Sequence, residues 1–355
     1  MTFRPLSGLL LLAILGPSLR GADAPFRPKV VVIAMFEQGA DTGDAPGEYQ
    51  FWVEREHLER VVPLPAAFHD VRMNADGSLA AVVTGMGNTN AAASIMALGC
   101  DPRFDLRQTY WVVAGIAGID PADGSLGSAV WADYVVDGDL AHEIDAREIP
   151  ADWPTGYLPL DAARPYQRPR PKDYTPGQVF RLDAGLVHWA YELTADTPLA
   201  DNEKMKQRRA AYTGFPNAQR PPFVMIGANL ASSTYWHGRL LDRWANDWVA
   251  YYTDGKGNYV TTAMEDAGTL LALANLGRAG RVDPRRVLVL RTASNYDRQW
   301  PGGTAAESLN GENLGVYSAY LPSLEAAYQV GSRVVHALIA GWGRYADRLP
   351  EAKAQ

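Results

Sequence analysis

Short runs of β-branched and other apolar residues, each closed by glycine and polar residues, alternate along this chain with longer segments of helical period. Residues 29–35 (KVVVIAM) are almost continuously apolar, as a strand buried on both faces of a parallel sheet requires. Residues 80–84 (AAVVT) predict a second strand, closed by Gly85-Met86-Gly87-Asn88. Residues 89–99 then predict a helix with Asn88 or Thr89 at its N-cap. Further strands are expected at 110–114, 129–136, 222–227, 258–265 and 286–292. Helices are expected at 185–193, 202–211, 238–252, 267–277 and across 317–342. Within 238–252, Trp244 and Trp248 stand four apart on one face.

Strands that alternate with helices imply an α/β fold of three layers, with a mixed, mostly parallel central sheet between helices. Residues 25–355 read as one domain, with a loop and helical insertion around 149–220 that begins in a Pro-, Arg- and aromatic-rich stretch. Residues 1–24 read as a signal peptide. Arg4 supplies the positive start, 9–15 the apolar run and Ala22-Asp23-Ala24 the cleavage site. The expected location is therefore periplasmic or secreted. No later apolar run reaches the length of a membrane span, so the mature chain is not expected to insert in a bilayer.

The composition, 47% hydrophobic and 21% charged over 355 residues, is that of an ordinary globular protein. The net charge of −7 argues against a nucleic-acid groove or an anionic lipid surface. Cys100 is the single cysteine, which excludes an intrachain disulfide; at a helix end it reads as a small buried residue rather than a catalytic thiol.

Ligands of such folds sit beyond the carboxyl ends of the strands. The residues there are Glu37 and Gln38, Thr84 to Asn88, Gly115 to Gly118, Met264-Glu265-Asp266 and Ser294-Asn295-Tyr296-Asp297. Gly115, Ala117 and Gly118 permit close approach to the backbone. Glu265 can accept from both hydroxyls of a diol, although an acid also suits a helix N-terminus. Asn295 equally suits a turn. His142, Glu143 and Asp145 follow the fourth strand; His142 and Asp145 lack a third ligand, and no metal is expected.

The segments KVVVIAMFEQG, VTGMGNTNAA, VAGIAGIDP, ADYVVDGDLAHEIDAREIP, TTAMEDAG and RTASNYD, in this order, resemble the purine nucleoside permease family across essentially the whole chain after the leader. These are exported proteins with a nucleoside phosphorylase/nucleosidase-like fold. The resemblance implies a purine nucleoside ligand, with Met264 and Glu265 at the ribose hydroxyls and Thr84 and Gly85 beside the sugar and the nucleophile. It implies Asn295 on the base, and Gly115, Ala117, Gly118, His142 and Asp145 as pocket wall. Glu37 is the expected general base, with Gln38 in its place if the alignment shifts by one, and Asp297 is a further catalytic candidate.

Two departures from the pattern of nucleosidases and phosphorylases bear on the reaction. Nucleosidases hold Asp where Asn295 stands. Asn cannot protonate a leaving purine, though it can stabilise one by hydrogen bonding, and it tilts preference toward inosine or guanosine. The loops at 84–90 and 115–119 carry no Arg or Lys for phosphate. The expected function is thus cleavage of the N-glycosidic bond, as a ribohydrolase rather than a phosphorylase. No cofactor is expected, and phosphate is the co-substrate only of the less favoured phosphorylase. The alternative is a non-enzymatic nucleoside-binding protein that supplies a membrane transporter, which Asn295 and the missing arginines slightly favour. A binding module for another small metabolite is the third reading. By analogy alone, superfamily members often complete the site in a homo-oligomer.

Overall fold

The computed structural model describes residues 24–160, 162–168, 177–313 and 318–352. The expected leader lies outside the described residues except for Ala24. The chain runs β1 (Val30–Ala34), α1 (Gln50–Arg55), β2 (Arg60–Val62), β3 (Val71–Met73), β4 (Leu79–Val83), α2 (Asn88–Cys100), β5 (Tyr110–Ile119) and β6 (Ala129–Asp137). It continues with β7 (Ala141–Glu143), β8 (Tyr157–Pro159), β9 (Val179–Arg181), α3 (Ala184–Thr194), α4 (Glu203–Ala210) and β10 (Val224–Ala231). Then come α5 (Arg239–Tyr252), β11 (Tyr259–Ala263), α6 (Asp266–Arg278), β12 (Val287–Tyr296), α7 (Ala305–Asn313), α8 (Tyr320–Ala340) and α9 (Trp342–Tyr345).

The continuous apolar runs become central strands, because β1, β4 and β12 are buried at every position and so need cover on both faces. The ten-stranded sheet has the order β11-β10-β6-β12-β5-β1-β4-β3-β2, with β9 added to β6. Its central pairs β4–β1, β1–β5, β5–β12, β6–β10 and β10–β11 are parallel, while β12–β6 and the outer pairs β2–β3, β3–β4 and β6–β9 are antiparallel. β11 also pairs antiparallel with β5, through Thr261 to Ile119 and Thr262 to Gly118. Strands β5, β12, β6, β10 and β11 therefore close on themselves as a barrel at one side of the open sheet. Alternation along β12 shows the layers. Leu290 lies against Gly331 of α8 and Thr292 donates to the Ser323 carbonyl, whereas Arg291 between them reaches Asp266 of α6.

Several expectations shift on the structure. β5 extends to Ile119, well beyond the expected end at 114, since its small residues do not end the strand. The N-cap of α2 is Gly87, not Asn88 or Thr89; the Asn88 side chain instead donates to Asp139 and accepts from the Gly268 amide. Cys100, expected buried, is exposed on the last turn of α2. Much of the stretch read as an insertion belongs to the core. β9 pairs with β6, and Leu186, Val187 and Ala190 of α3 join the main apolar cluster.

Helices α2 and α6 meet so closely that a Cβ at Gly268 would strike the Asn88 carbonyl oxygen. Gly268→Ala is expected to cost about 1–3 kcal/mol by overpacking, despite alanine's better helix propensity. Urea unfolding of parent and variant measures it, and an unchanged midpoint would show that the two helices separate freely.

Candidate functional site

A cavity of about 290 Å³ opens beyond the carboxyl ends of the strands, near the small end of the range for ligand pockets. Met35 and Phe36 come from the end of β1, Met86 follows β4, and Ile116, Ala117 and Gly118 come from β5. Thr234, Tyr235 and Trp236 follow β10. Thr262 to Glu265 close β11, and Ser294 and Asn295 lie near the end of β12. Gln38, Glu48, Arg291 and Tyr320 complete the lining. The walls are thus aromatic and thioether-rich, with a polar floor.

The floor is organised by Arg291, which is fully buried. Its guanidinium makes a forked pair with Asp266, Nη2 to Oδ1 at 2.7 Å and Nε to Oδ2 at 3.0 Å. Nη2 also donates to Glu265 Oε2 at 3.0 Å and Nη1 to the Ile116 carbonyl at 3.1 Å. Behind it, Asn229 donates to Asp266 at 2.6 Å and accepts from Thr261 at 3.0 Å, which fixes the orientation of the pair. Glu265 further accepts from the amides of Met264 at 3.2 Å and Gly87 at 3.3 Å. A carboxylate has about four lone-pair positions, so Glu265 Oε1 retains one for a ligand hydroxyl. Burial pushes the Glu265 carboxyl up, against the pull of the Arg291 charge.

Glu48 is the second acid on the cavity. Its Oε2 accepts from the Met35 amide at 2.8 Å and its Oε1 from the Ile116 amide at 2.7 Å. Burial pushes its carboxyl up to about 8; Arg291 pulls it down and Glu265 raises it further. Desolvation thus outweighs two amide donors that favour the anion. Glu48 holds a proton at neutral pH and becomes a base above about pH 8. Folding then takes up a proton between the ordinary value of 4.5 and about 8, so stability falls as pH rises across that window. The slope from this group is at most about 1.4 kcal/mol per pH unit. Denaturant titrations at pH 5, 6.5 and 8 are expected to show it, and Glu48→Gln to flatten it; equal slopes in the two proteins would mean that Glu48 stays ionised throughout.

The expected residues divide clearly. Met264, Glu265, Ala117, Gly118 and Asn295 meet on the cavity. Asn295 is aimed there by a bulge in β12 at Ser294, between the pairs Ala293–Ala117 and Asn295–Gly118. Its Oδ1 accepts from Ser294 at 2.9 Å and its Nδ2 donates to the Tyr296 carbonyl at 3.0 Å. A Cβ at Gly118 would sit 3.3 Å from that Nδ2 and crowd it.

Glu37 is not on the cavity. Its carboxylate accepts from the amides of Gln38, Gly47, Tyr49 and Gln50, because the chain turns back over it. That turn carries Glu48 inward, so Glu37 acts as a positioning residue. Gln38 does line the cavity, but an amide is no base. Thr84 turns its hydroxyl to the Gly85 carbonyl, and Met86 takes the wall instead. Gly115 lies under the floor, where a Cβ would strike Met35, Glu48 and Arg291. Asp297 is buried behind the wall on Tyr259, 2.6 Å away. His142 on β7 and Asp145 in the connection from β7 to β8 are exposed, bonded to the Leu160 carbonyl and to Arg147.

The profile described as purine nucleoside permease matches residues 27–350. The chain belongs to the purine nucleoside permease family. A Schizosaccharomyces pombe relative named a probable purine nucleoside permease is 31% identical over 91% of this chain and 92% of its own. The purine nucleoside permease of Candida albicans is 28% identical over 90% and 77%. Among solved structures, the fold is similar to a 5'-methylthioadenosine/S-adenosylhomocysteine nucleosidase of Helicobacter pylori (TM-score 0.53, 12% identity, 88% of this chain and 99% of that one). The futalosine hydrolase of Helicobacter pylori is also similar (TM-score 0.51, 12% identity, 86% and 97%). Membership of the permease family and a nucleosidase-like fold fit the binding of purine nucleosides. Among the described residues, no helix of this permease-family chain is long and apolar enough to cross a membrane.

Proposed function

We propose that this chain is an exported purine nucleoside ribohydrolase, and the observation that carries the reading is the pairing of Glu48 and Glu265 on one floor with Asn295 on the facing wall. Glu265 accepts from a ribose hydroxyl. Glu48, above its pKa, takes a proton from water as the water oxygen bonds to C1′. The C1′–N9 bond breaks and its electron pair leaves on the purine, whose N7 accepts from the Asn295 N–H that is not committed to Tyr296. The purine then takes its proton from solvent. Trp236 and the flat backbone at Ala117 and Gly118 suit a planar base.

Water is favoured over phosphate by charge. Arg291, the one cation lining the cavity among the described residues, is already committed to two carboxylates. A phosphate dianion would meet the Glu265–Asp266–Arg291 cluster with no cation left free to pair with it. The purified protein incubated with inosine, guanosine and adenosine should release free base at equal rates with and without phosphate. Release only with phosphate would make it a phosphorylase. Saturable binding without release would make it a carrier for a membrane transporter, a reading that the proton on Glu48 at neutral pH supports. In the hydrolase, kcat/KM is expected to rise with pH and level off above about 8.

Asn295→Asp is expected to shift preference from inosine toward adenosine by about 1–3 kcal/mol. A carboxylate repels the O6 and N7 acceptors of a 6-oxopurine, whereas it accepts from the 6-amino group of adenine. The inosine-to-adenosine ratio of kcat/KM measures this, and an unchanged ratio would place the base elsewhere in the cavity.

A further inference from the structure

Two residues beyond Asn295, Asp297 faces away from the cavity into a second polar cluster. Asp120, after β5, and Asp242, on α5, meet it there, each with a carboxylate oxygen within 4.8 Å of the other two. All three side chains are buried, Asp297 to 1% exposure. Tyr259 donates to Asp297 Oδ2 at 2.6 Å, and Arg298 to Asp242 Oδ2 at 2.9 Å. Asn246 donates to Asp120 Oδ2 at 2.9 Å and the Ala122 amide to Oδ1 at 2.8 Å. Asp297 Oδ1 and Asp242 Oδ1 accept from no donor, and the Asp242 carboxyl lies against that of Asp120.

With all three carboxylates ionised, the single guanidinium would leave two negative charges in a buried site, and two orphan oxygens lie in the same cluster. Isolated buried charge of that size is strongly unfavourable. We propose that Asp120, Asp242 and Asp297 hold one hard divalent cation, of the Ca²⁺ class, behind the base end of the cavity. Such an ion brings the charge of the cluster to zero and gives the orphan oxygens a partner. Oxygens at about 2.3–2.6 Å from a shared Ca²⁺ lie at most about 5 Å apart, so the observed spacing needs no movement of the backbone. Donors that are all oxygen select Ca²⁺, Mg²⁺ or Mn²⁺ over softer metals. The ion would tie the end of β12 to α5 and to the turn after β5, and so fix the strand end that presents Asn295.

The test needs no nucleoside and stands apart from the hydrolase reading. The whole protein is stripped with EDTA, dialysed against Ca²⁺, Mg²⁺ or Mn²⁺, and assayed for retained metal and thermal midpoint. The expected result is one equivalent of metal per chain and a midpoint raised by a few degrees, about what ligand at a hundred times Kd supplies. Asp297→Asn, or Asp242→Asn should the first fail to fold, is expected to lose both effects. Parent protein that retains no equivalent of any of the three cations, with an unmoved midpoint, would overturn the proposal and leave the cluster neutralised by protons.

Discussion

Replacing Glu48 by glutamine is expected to lower kcat by about 10²–10⁴ while KM and nucleoside affinity stay within a few-fold of the parent. Of the two carboxylates that line the cavity among the described residues, Glu48 is the one without an ion pair. Glu265 and Asp266 share Arg291, whereas Glu48 is held only by the Met35 and Ile116 amides. Glutamine keeps the shape and accepts one of those amides, but it cannot take a proton from water. The other amide then faces an NH₂ group, with an expected stability loss of about 1–3 kcal/mol. Calorimetric binding and steady-state rates on the same preparation separate the two effects. A variant that turns over at the parental rate would remove Glu48 from the chemistry and return attention to the wall at Asn295.

The second large effect is expected at Glu265. Glu265→Ala removes the remaining acceptor on Oε1, whose charge-assisted bond to a ribose hydroxyl is worth about 1.5–3 kcal/mol. Affinity should fall about ten- to a hundredfold. The fold should survive, since Arg291 keeps its forked pair with Asp266. In the parent, the deoxyribonucleoside lacking the contacted hydroxyl should lose a comparable factor. Calorimetry with ribo- and deoxyribonucleosides on both proteins checks the pairing. Equal affinity for the two sugars would mean that Glu265 serves only to hold Arg291.

Much of this site was legible in the sequence because it lies at strand ends, and strand ends are marked by the change from β-branched to small and polar residues. Met264, Glu265 and Asn295 follow from that rule. Glu48 does not. It lies fourteen positions beyond the last residue of β1, in a turn rich in Gly and Pro that has no periodicity to place it. The amides gathered by Glu37 and the bond from the Glu48 amide to the Phe36 carbonyl bring it inward. The same contact misleads the reading of Glu37, since an acid after a strand looks alike whether it faces a ligand or its own backbone. Gly115 illustrates a related ambiguity. The close approach it permits is real, but the groups that approach are Met35, Glu48 and Arg291. Asp120, Asp242 and Asp297 come from three distant segments, so their meeting is a property of the closed barrel and not of any local pattern.

That closure also bears on how copies of the chain meet one another. A strand with an open edge is a template for pairing with another molecule. Here β11 is bonded on both sides, to β10 and β5, so one end of the ten-stranded sheet offers no free row of amides and carbonyls. Among the described residues, the remaining ends of this sheet are β2 and β9, each three residues long, and β2 begins with the exposed Arg60. Edges this short and charged resist addition of a further strand. Concentrated solutions of the folded protein should therefore be slow to form cross-β fibrils, and self-association, where it occurs, should proceed through side-chain faces.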